Sequence, residues 1–237
     1  MRKFFCFDGI DDVLTLTGTE ARHIKTVLRL KIGDAVVICD GAGKDYNAVI
    51  REFTDDGVVL EIGAVIQGNR EPKLMTNLYL AYTKAERLDF AVQKAVELGA
   101  AHIRLFSSER CVAEHSDKRV ERLERIALEA AKQSGRSVLT DIKYVGGISN
   151  ALLYDRNPGV LKLFCYELET APIRGEFVDL GGEVSIMCGP EGGFSEKEAV
   201  FASKTGWRSV SLGKRVLRAE TAPIAALSVV LYAAGDI

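Results

Sequence analysis

The chain has 237 residues, a formal net charge of −2 at pH 7 and a charged fraction of 27%. This composition is that of a globular protein rather than a disordered one, and its total charge does not indicate a nucleic-acid partner, although a local basic patch can lie under a neutral total. The five cysteines contain no CxxC pair, so we expect no metal site. The apolar stretches are too short for a signal peptide or a bilayer span, which leads us to expect a cytoplasmic protein without a membrane partner.

The first seventy residues consist mainly of short β-rich segments separated by glycine and aspartate turns. One helix interrupts them, with Thr17 and Glu20 as its predicted capping box and Gly33 as its end. Short strands with one inserted helix indicate a small β-barrel over residues 1–70. The predicted strands are KFFCF, AVVICD, YNAVIREF and VVLEIGAVI.

From residue 74 onwards, strand and helix patterns alternate. Glycines follow the two clearest amphipathic helices, Gly99 after the first and Gly135 after the second. The alternation predicts an α/β domain over residues 74–237 with a mostly parallel sheet, and the polar segment 67–73 is the predicted linker. The predicted strands are LMTNLYLAY, HIRLFSS, VLKLFCYE, EVSIMCG and RSVSLG.

A glycine-rich loop follows the apolar strand EVSIMC. Ser195 and Glu198 form a predicted capping box, so the loop joins the end of a strand to the start of a helix. The segment lacks the Lys and Ser/Thr of a P-loop, and its glutamates would repel phosphate. A tight turn without a ligand and a pocket for another ligand remain as interpretations.

A second loop with a glycine lies in SLGKRVLRAETAPIAALSVV, where Pro223 is placed in the first turn of a final apolar helix. In parallel sheets, ligands bind where the carboxyl ends of the strands and their loops gather. Two such loops after neighbouring strands therefore predict a pocket of backbone groups and apolar walls. This pocket suits adenine and a thioether or sulfonium better than a triphosphate.

Several motifs together resemble one known family over essentially the whole chain. They are CGPEGGFSEKE, SLGKRVLRAETA, KAERLDFAVQKAVELGA, SSERCV, EAAKQSGR and the opening RKFF…HIKTVLRLKIGD…DG. They resemble the RsmE family, bacterial 16S ribosomal RNA (uracil-N3)-methyltransferases of the SPOUT superfamily. The resemblance implies an N-terminal PUA-like β-barrel, a C-terminal trefoil-knot α/β domain, S-adenosyl-L-methionine as cofactor, and a homodimer. It also implies 16S ribosomal RNA, as part of the small ribosomal subunit, as the substrate.

The resemblance further implies the site residues. Uracil N3 must lose its imide proton before it accepts a methyl group, so a carboxylate base or a cation that stabilises the resulting charge is needed. Arg218 is the first candidate for charge stabilisation, Glu191 for the base, and Glu220 is the second candidate base. The implied cofactor-binding residues are Cys188, Gly189, Pro190, Glu191, Gly192, Gly193, Leu212, Gly213, Val216, Leu217, Arg218, Glu220, Thr221 and Ala222.

Binding of RNA requires cations that contact phosphates. The candidates are Arg2, Lys3, His23, Lys25 and Arg29 in the barrel, and Lys84, Arg87, Arg110 and Arg136 beside the pocket. Two alternatives stay open at this point. One is a non-catalytic RNA-binding assembly module, and the other is a SPOUT enzyme that methylates a ribose 2′-hydroxyl.

Overall fold

A computed structural model describes residues 2–67, 70–154, 157, 159–173 and 182–237. The chain divides into two compact units. The first contains residues 1–71 and 131–139, and the second contains residues 72–130 and 140–237. Residues 68 and 69 of the predicted linker lie outside the described residues.

The first unit is a five-stranded sheet with one helical insertion. Its spatial order is β1-β3-β4-β5-β2, and among the described strands of this unit only the β1–β3 pair is parallel. The core of this unit is formed by fully buried apolar side chains such as Phe4, Ile24, Ile38 and Leu60. The strands are β1 (Lys3–Phe5), β2 (Val13–Thr17), β3 (Ala35–Cys39), β4 (Lys44–Phe53) and β5 (Gly57–Gln67).

The predicted helix of this unit is shorter than its pattern indicated. Helix α1 (Gly18–Arg22) continues as a π-helical turn (His23–Val27) and ends well before Gly33. The predicted capping box is wrong, because the Thr17 side chain makes no capping hydrogen bond within the described part of the chain. Glu20 instead accepts a hydrogen bond from Lys132, which belongs to the same unit. Strand β2, whose sequence is VLTLT, was not predicted.

The second unit is an α/β unit whose six described strands are all parallel. Its spatial order is β11-β9-β10-β6-β7-β8. Strand β10 is buried at five of its six positions, as expected for a central parallel strand covered on both faces. The strands are β6 (Met75–Ala81), β7 (His102–Ser107), β8 (Asp141–Gly147), β9 (Leu161–Cys165), β10 (Glu183–Cys188) and β11 (Arg208–Val210).

The helices that follow residue 72 confirm most of the predicted ones. Gly99 and Gly135, which follow α2 and α3, have φ values of 97° and 76°, as the left-handed C-terminal position requires. Strand β8 and helix α4 were not predicted. The helices are α2 (Ala85–Glu97), α3 (Asp117–Ser134), α4 (Ile148–Tyr154), α5 (Glu196–Lys204) and α6 (Thr221–Ala233). No helix among the described residues combines the length and apolar character that a membrane span requires.

Candidate active site

A cavity of about 520 Å³ lies at the carboxyl ends of three adjacent strands, β11, β9 and β10. The loop after each of these strands contributes to its wall, which is the position expected for a ligand site in a parallel sheet. The lining residues are Arg87, Cys165, Tyr166, Glu167, residues 189–193, residues 210–219 and Ala222.

Most of the residues predicted to bind the cofactor lie around this one cavity. Cys188, Glu220 and Thr221 are not among its described lining residues, although each is adjacent in sequence to residues that are. Tyr166 and Glu167, which follow β9, were not predicted. Their position directly after an apolar strand at the carboxyl edge of the sheet was the signal that could have found them.

The loop after β10 is shaped by a glycine that cannot be replaced without strain. Gly193 has a φ of 67°, in the left-handed region, and a Cβ placed there would lie 1.8 Å from Glu167 Oε1. The predicted capping box at the end of this loop is confirmed. Ser195 N–H donates to Glu198 Oε2 at 2.8 Å, and Glu198 N–H donates to Ser195 Oγ at 3.4 Å. The strand, the loop and α5 therefore form one closely packed connection.

The two candidate carboxylates of the site share one cation, Arg87. Glu191 Oε1 accepts from Arg87 Nη1 at 3.1 Å and from the Lys84 backbone N–H at 3.2 Å. Glu220 lies between two arginines without a direct hydrogen bond to either, at 3.8 Å from Arg87 Nε and 3.9 Å from Arg218 Nη1. The Glu191 Oε2 and Glu220 Oε2 atoms are buried and accept no hydrogen bond from the described residues.

Arg218 and Arg87 differ in exposure. The Arg218 side chain is 78% exposed, so its guanidinium is free to meet a second molecule at the cavity wall. Arg87 was predicted to contact RNA phosphates, but it lines the cavity and is ion-paired to Glu191. The ion pair with Glu191 accounts for the position of Arg87 better than a phosphate contact does, because an RNA phosphate would have to compete with a carboxylate that Arg87 already binds.

Two of the residues predicted to contact RNA have buried side chains, an arrangement that does not favour a phosphate contact. Lys3 is 9% exposed and its ammonium group is bound to Asp45 at 2.7 Å and to Ser137 Oγ at 2.9 Å. The Arg136 side chain is 4% exposed and donates twice to Glu71. Among the remaining candidates, His23 and Lys25 are half-buried, whereas Arg2, Arg29, Lys84 and Arg110 are exposed.

Two cysteines lie side by side at the ends of β9 and β10, where Cys165 lines the cavity and Cys188 does not. Cys188 and Cys165 are register partners on β10 and β9, and both are free thiols. The hydrogen bond with Cys165, together with complete burial, raises the pKa of the Cys188 thiol well above its ordinary value. Cys188 is therefore a neutral, apolar side chain at physiological pH. The described residues contain no group of three or more His, Cys, Asp or Glu side chains arranged to hold a metal ion.

Comparison with known protein families identifies the class of protein to which this cavity belongs. Residues 70–231 match a family described as an RNA methyltransferase domain, and residues 16–63 match one described as an RNA methyltransferase PUA domain. The first match contains all the residues that line the cavity. Fold and site together thus define an RNA methyltransferase with a PUA domain.

Individual relatives narrow this class. The chain is 34% identical to the ribosomal RNA small subunit methyltransferase E of Mesomycoplasma hyopneumoniae, over 94% of this chain and 96% of that protein. It is 31% identical to the protein of the same name from Synechocystis, over 92% of this chain and 73% of that protein. The chain belongs to the ribosomal RNA small subunit methyltransferase E family.

Solved structures agree with this membership. The methyltransferase E of Neisseria gonorrhoeae, crystallised with S-adenosylmethionine, has a TM-score of 0.89 and 31% identity, covering 97% of this chain and 96% of that one. A Legionella pneumophila protein, crystallised with the same cofactor, also has a TM-score of 0.89, with 29% identity over 98% and 97% of the two chains.

Proposed function

We propose that this protein transfers the methyl group of S-adenosylmethionine to N3 of a specific uridine in 16S ribosomal RNA. The observation that carries the proposal is the cavity at the carboxyl ends of β9, β10 and β11, whose wall includes the exposed Arg218. Family membership and the two cofactor-bound structures support the same activity.

The cavity fits the proposed cofactor. Its volume is within the range of small-molecule sites, and a side chain at Gly193 would collide with Glu167, so the backbone there stays accessible to a ligand. Residues 189–193 and 210–217 would hold the cofactor, mainly through backbone groups and apolar contacts. When bound, the cofactor supplies an electrophilic methyl group.

The side chains of the site divide the remaining chemistry between them. Removal of the imide proton leaves negative charge on the uracil oxygens O2 and O4, and the Arg218 guanidinium stabilises that charge from the cavity wall. Glu191 and Glu220 are the candidate bases, each with one oxygen that accepts no hydrogen bond from the described residues. The neutral Cys188 thiol does not compete for the proton.

Replacement of Arg218 with Ala tests the proposal. We expect kcat/KM to fall by a factor on the order of 10² to 10³, while the affinity for S-adenosylhomocysteine stays within a few-fold of wild type. Methylation is measured on small ribosomal subunits from a strain that lacks this protein, by mass spectrometry of the nucleosides. Arg125→Ala, which removes an exposed arginine on α3, is the matched control.

The same measurement separates the alternatives. A methylated ribose would identify a 2′-O-methyltransferase, and tight RNA binding without methylation would identify an assembly module. Calorimetry with S-adenosylhomocysteine distinguishes the enzyme from the module even before the substrate is known. Unchanged turnover in Arg218→Ala would remove this residue from the mechanism.

The role of Glu191 is tested separately by its pH–rate profile. If Glu191 is the base, Glu191→Gln abolishes the fall of kcat at acidic pH, which is the acidic limb of the profile, and lowers the maximal kcat. Glu220→Gln then retains the limb. An unaltered limb in Glu191→Gln together with its loss in Glu220→Gln would exchange the two roles.

The finer features implied by the family resemblance complete the proposal. Residues 1–70 serve as the RNA-binding barrel, and residues 74–237 form the knotted methyltransferase domain of a cytoplasmic homodimer. Exposed apolar side chains on α6 and in the loop before it, including Tyr232 at 75% and Val216 at 83% exposure, supply apolar surface for a second copy. A mass of twice the chain's 25.9 kDa in light scattering is the expected result.

A further inference from the structure

The segment that connects β7 to α3, residues 108–116, is fixed to its surroundings at both ends. We call it the β7–α3 loop. Arg110 is the one predicted RNA contact in this loop, and its neighbours have no predicted role. Within the second unit, one hydrogen bond joins the loop to Glu198 in the first turn of α5, and a second joins it to the cofactor-side loop of residues 189–195.

The first of these bonds is made by Glu198, the residue that also caps α5. Glu198 is 7% exposed, and its carboxylate uses both oxygens: Oε2 accepts from Ser195 N–H at 2.8 Å, and Oε1 accepts from Glu109 N–H at 3.0 Å. A buried carboxylate is tolerated only where such bonds replace its hydration. The cap of α5 needs only the first bond, so the bond to Glu109 serves a different purpose.

The second bond is made by the exposed Arg110, whose Nη1 donates to the Gly192 carbonyl at 2.9 Å. The two loops are in close contact here, since a Cβ on Gly192 would lie 2.9 Å from Arg110 Cβ. Gly192 lines the cavity, so Arg110 lies directly beside the cofactor site. Its guanidinium uses one of five N–H groups for this bond, which leaves donors for a phosphate or a uracil oxygen.

The far end of the loop is held by His115. Its ring stacks on Tyr144 with centroids 3.8 Å apart, and its Nδ1 is hydrogen-bonded to the Tyr82 hydroxyl at 2.9 Å. Because His115 fixes one end and Glu198 the other, the position of Arg110 depends on the bond between Glu198 and Glu109.

We propose that Glu198 is a positioning residue that holds the β7–α3 loop against the cofactor-side loop, so that Arg110 contacts the RNA substrate at the cavity. This role rests on the proposed function, since it assigns the RNA substrate to Arg110. Glu198 acts through Glu109 and Arg110 and does not touch the reacting atoms.

Glu198→Gln separates this role from helix capping. Glutamine also serves in a capping box, but its side chain has one acceptor oxygen, so it satisfies Ser195 N–H and no longer satisfies Glu109 N–H. Glu196→Gln is the matched control, because Glu196 is an exposed residue in the same first turn and its replacement removes the same charge. Ser195→Ala is the complementary variant, which weakens the cap and leaves the Glu109 bond in place.

In methylation assays with small ribosomal subunits, we expect Glu198→Gln to raise KM for the subunit about tenfold, as the loss of a hydrogen bond to a charged group predicts. The affinity for S-adenosylhomocysteine stays within about threefold of wild type, since residues 189–193 keep their own bonds. Arg110→Ala raises KM in the wild-type background and adds little in the Glu198→Gln background, because residues that act as a unit are not additive. A KM equal to that of Glu196→Gln, or equal effects of Arg110→Ala in both backgrounds, would overturn the proposal.

Amide hydrogen exchange supplies a readout that does not depend on methylation. The Glu109 amide exchanges at least about tenfold faster in Glu198→Gln than in wild type, whereas it stays protected in Ser195→Ala and in Glu196→Gln. If Glu109 exchange is unchanged in Glu198→Gln, the positioning role is wrong even when the enzyme is active. If the wild-type protein neither binds S-adenosylhomocysteine nor methylates RNA, the proposed function fails while the exchange result still decides the loop contact.

Discussion

At the scale of single residues, the two candidate bases differ in the hydrogen bonds that their carboxylates accept. Glu191 is held by a guanidinium and by a backbone N–H, whereas Glu220 is near two guanidinium groups and accepts from neither. Both carboxylates lie at salt-bridge distance from Arg87, a residue whose sequence position beside the pocket suggested RNA contact instead. Only the pairing in three dimensions assigns Arg87 to the carboxylates.

The role of Arg87 can be measured. We expect Arg87→Ala to weaken S-adenosylhomocysteine binding about fivefold, or about 1 kcal/mol, because Glu191 loses its cation and the pair is partly exposed to solvent. Arg87→Lys retains part of the affinity. The control is Lys94→Ala on the same helix, which breaks an ion pair with Glu97 away from the cavity. Calorimetry that finds equal affinities for Arg87→Ala and Lys94→Ala would contradict the assignment.

A second residue-scale prediction concerns acid stability. Burial raises the pKa of Asp141, but the hydrogen bond from Lys143 and the charge and hydrogen bond of Arg104 outweigh this effect, so the pKa lies below its ordinary value. A carboxyl group whose pKa is lower in the folded state contributes stability above its unfolded pKa of about 4, and the contribution is lost as the pH falls through the folded pKa.

Replacement of Asp141 with Asn should therefore lower the free energy of unfolding at pH 7. As the pH is lowered from 5 to 2, the free energy of unfolding of this variant should fall less than that of wild type. Urea denaturation at a series of pH values measures this slope. Asp56→Asn, at an exposed turn position, should leave the slope as in wild type. Parallel slopes for wild type and Asp141→Asn would mean that the ion pair adds nothing to stability.

At the scale of elements, two capping boxes with similar sequence patterns had different outcomes. Ser195 and Glu198 form the predicted box, whereas Thr17 and Glu20 do not. The difference is tertiary, because Glu20 is bound to Lys132, far away in sequence. Glu198 also has a distant partner, the Glu109 N–H, but it uses a different carboxylate oxygen for that bond and keeps the cap with the other.

A prediction about the loop after β10 comes from comparing its Gly193 with Gly206, which follows α5. Gly193 and Gly206 both have φ in the left-handed region, 67° and 87°, but a Cβ on Gly206 meets nothing within 4 Å. Gly206→Ala should therefore cost about 1 kcal/mol of stability from backbone strain alone.

Gly193→Ala should cost more, because its Cβ also displaces Glu167, and it should reduce S-adenosylhomocysteine affinity at least about tenfold by distorting the cavity wall. Chemical denaturation and calorimetry on both variants provide the two measurements. Equal affinity in Gly193→Ala and Gly206→Ala would show that this loop does not contact the cofactor.

At the scale of the whole molecule, the net charge of −2 conceals exposed cations such as Arg2 and Arg29 in the first unit. Arg29 is also the non-glycine residue with a left-handed φ, 50°, within the described part of the chain. An exposed arginine in a rarely adopted backbone conformation is a reasonable position for a functional contact.

RNA binding by the barrel is tested through its salt dependence. Arg29→Glu should weaken binding to small ribosomal subunits and reduce the slope of log K against log salt by about 0.7 to 0.9, the value for one phosphate contact. Lys44→Glu, an exposed position on β4, controls for the change in total charge. A slope that is the same in Arg29→Glu and in wild type would remove this arginine from the RNA surface.

The sequence alone determined the two-part organisation, the parallel sheet, most helix ends and the loops that carry the site, because periodicity, glycine positions and family motifs are local properties. The tertiary structure decided which charges are available. It buried Lys3 and Arg136, paired Arg87 with Glu191, and joined Glu198 to Glu109. The physical reason is that the role of a charged side chain depends on the group that it binds. These partners lie from 42 to 104 residues away in sequence.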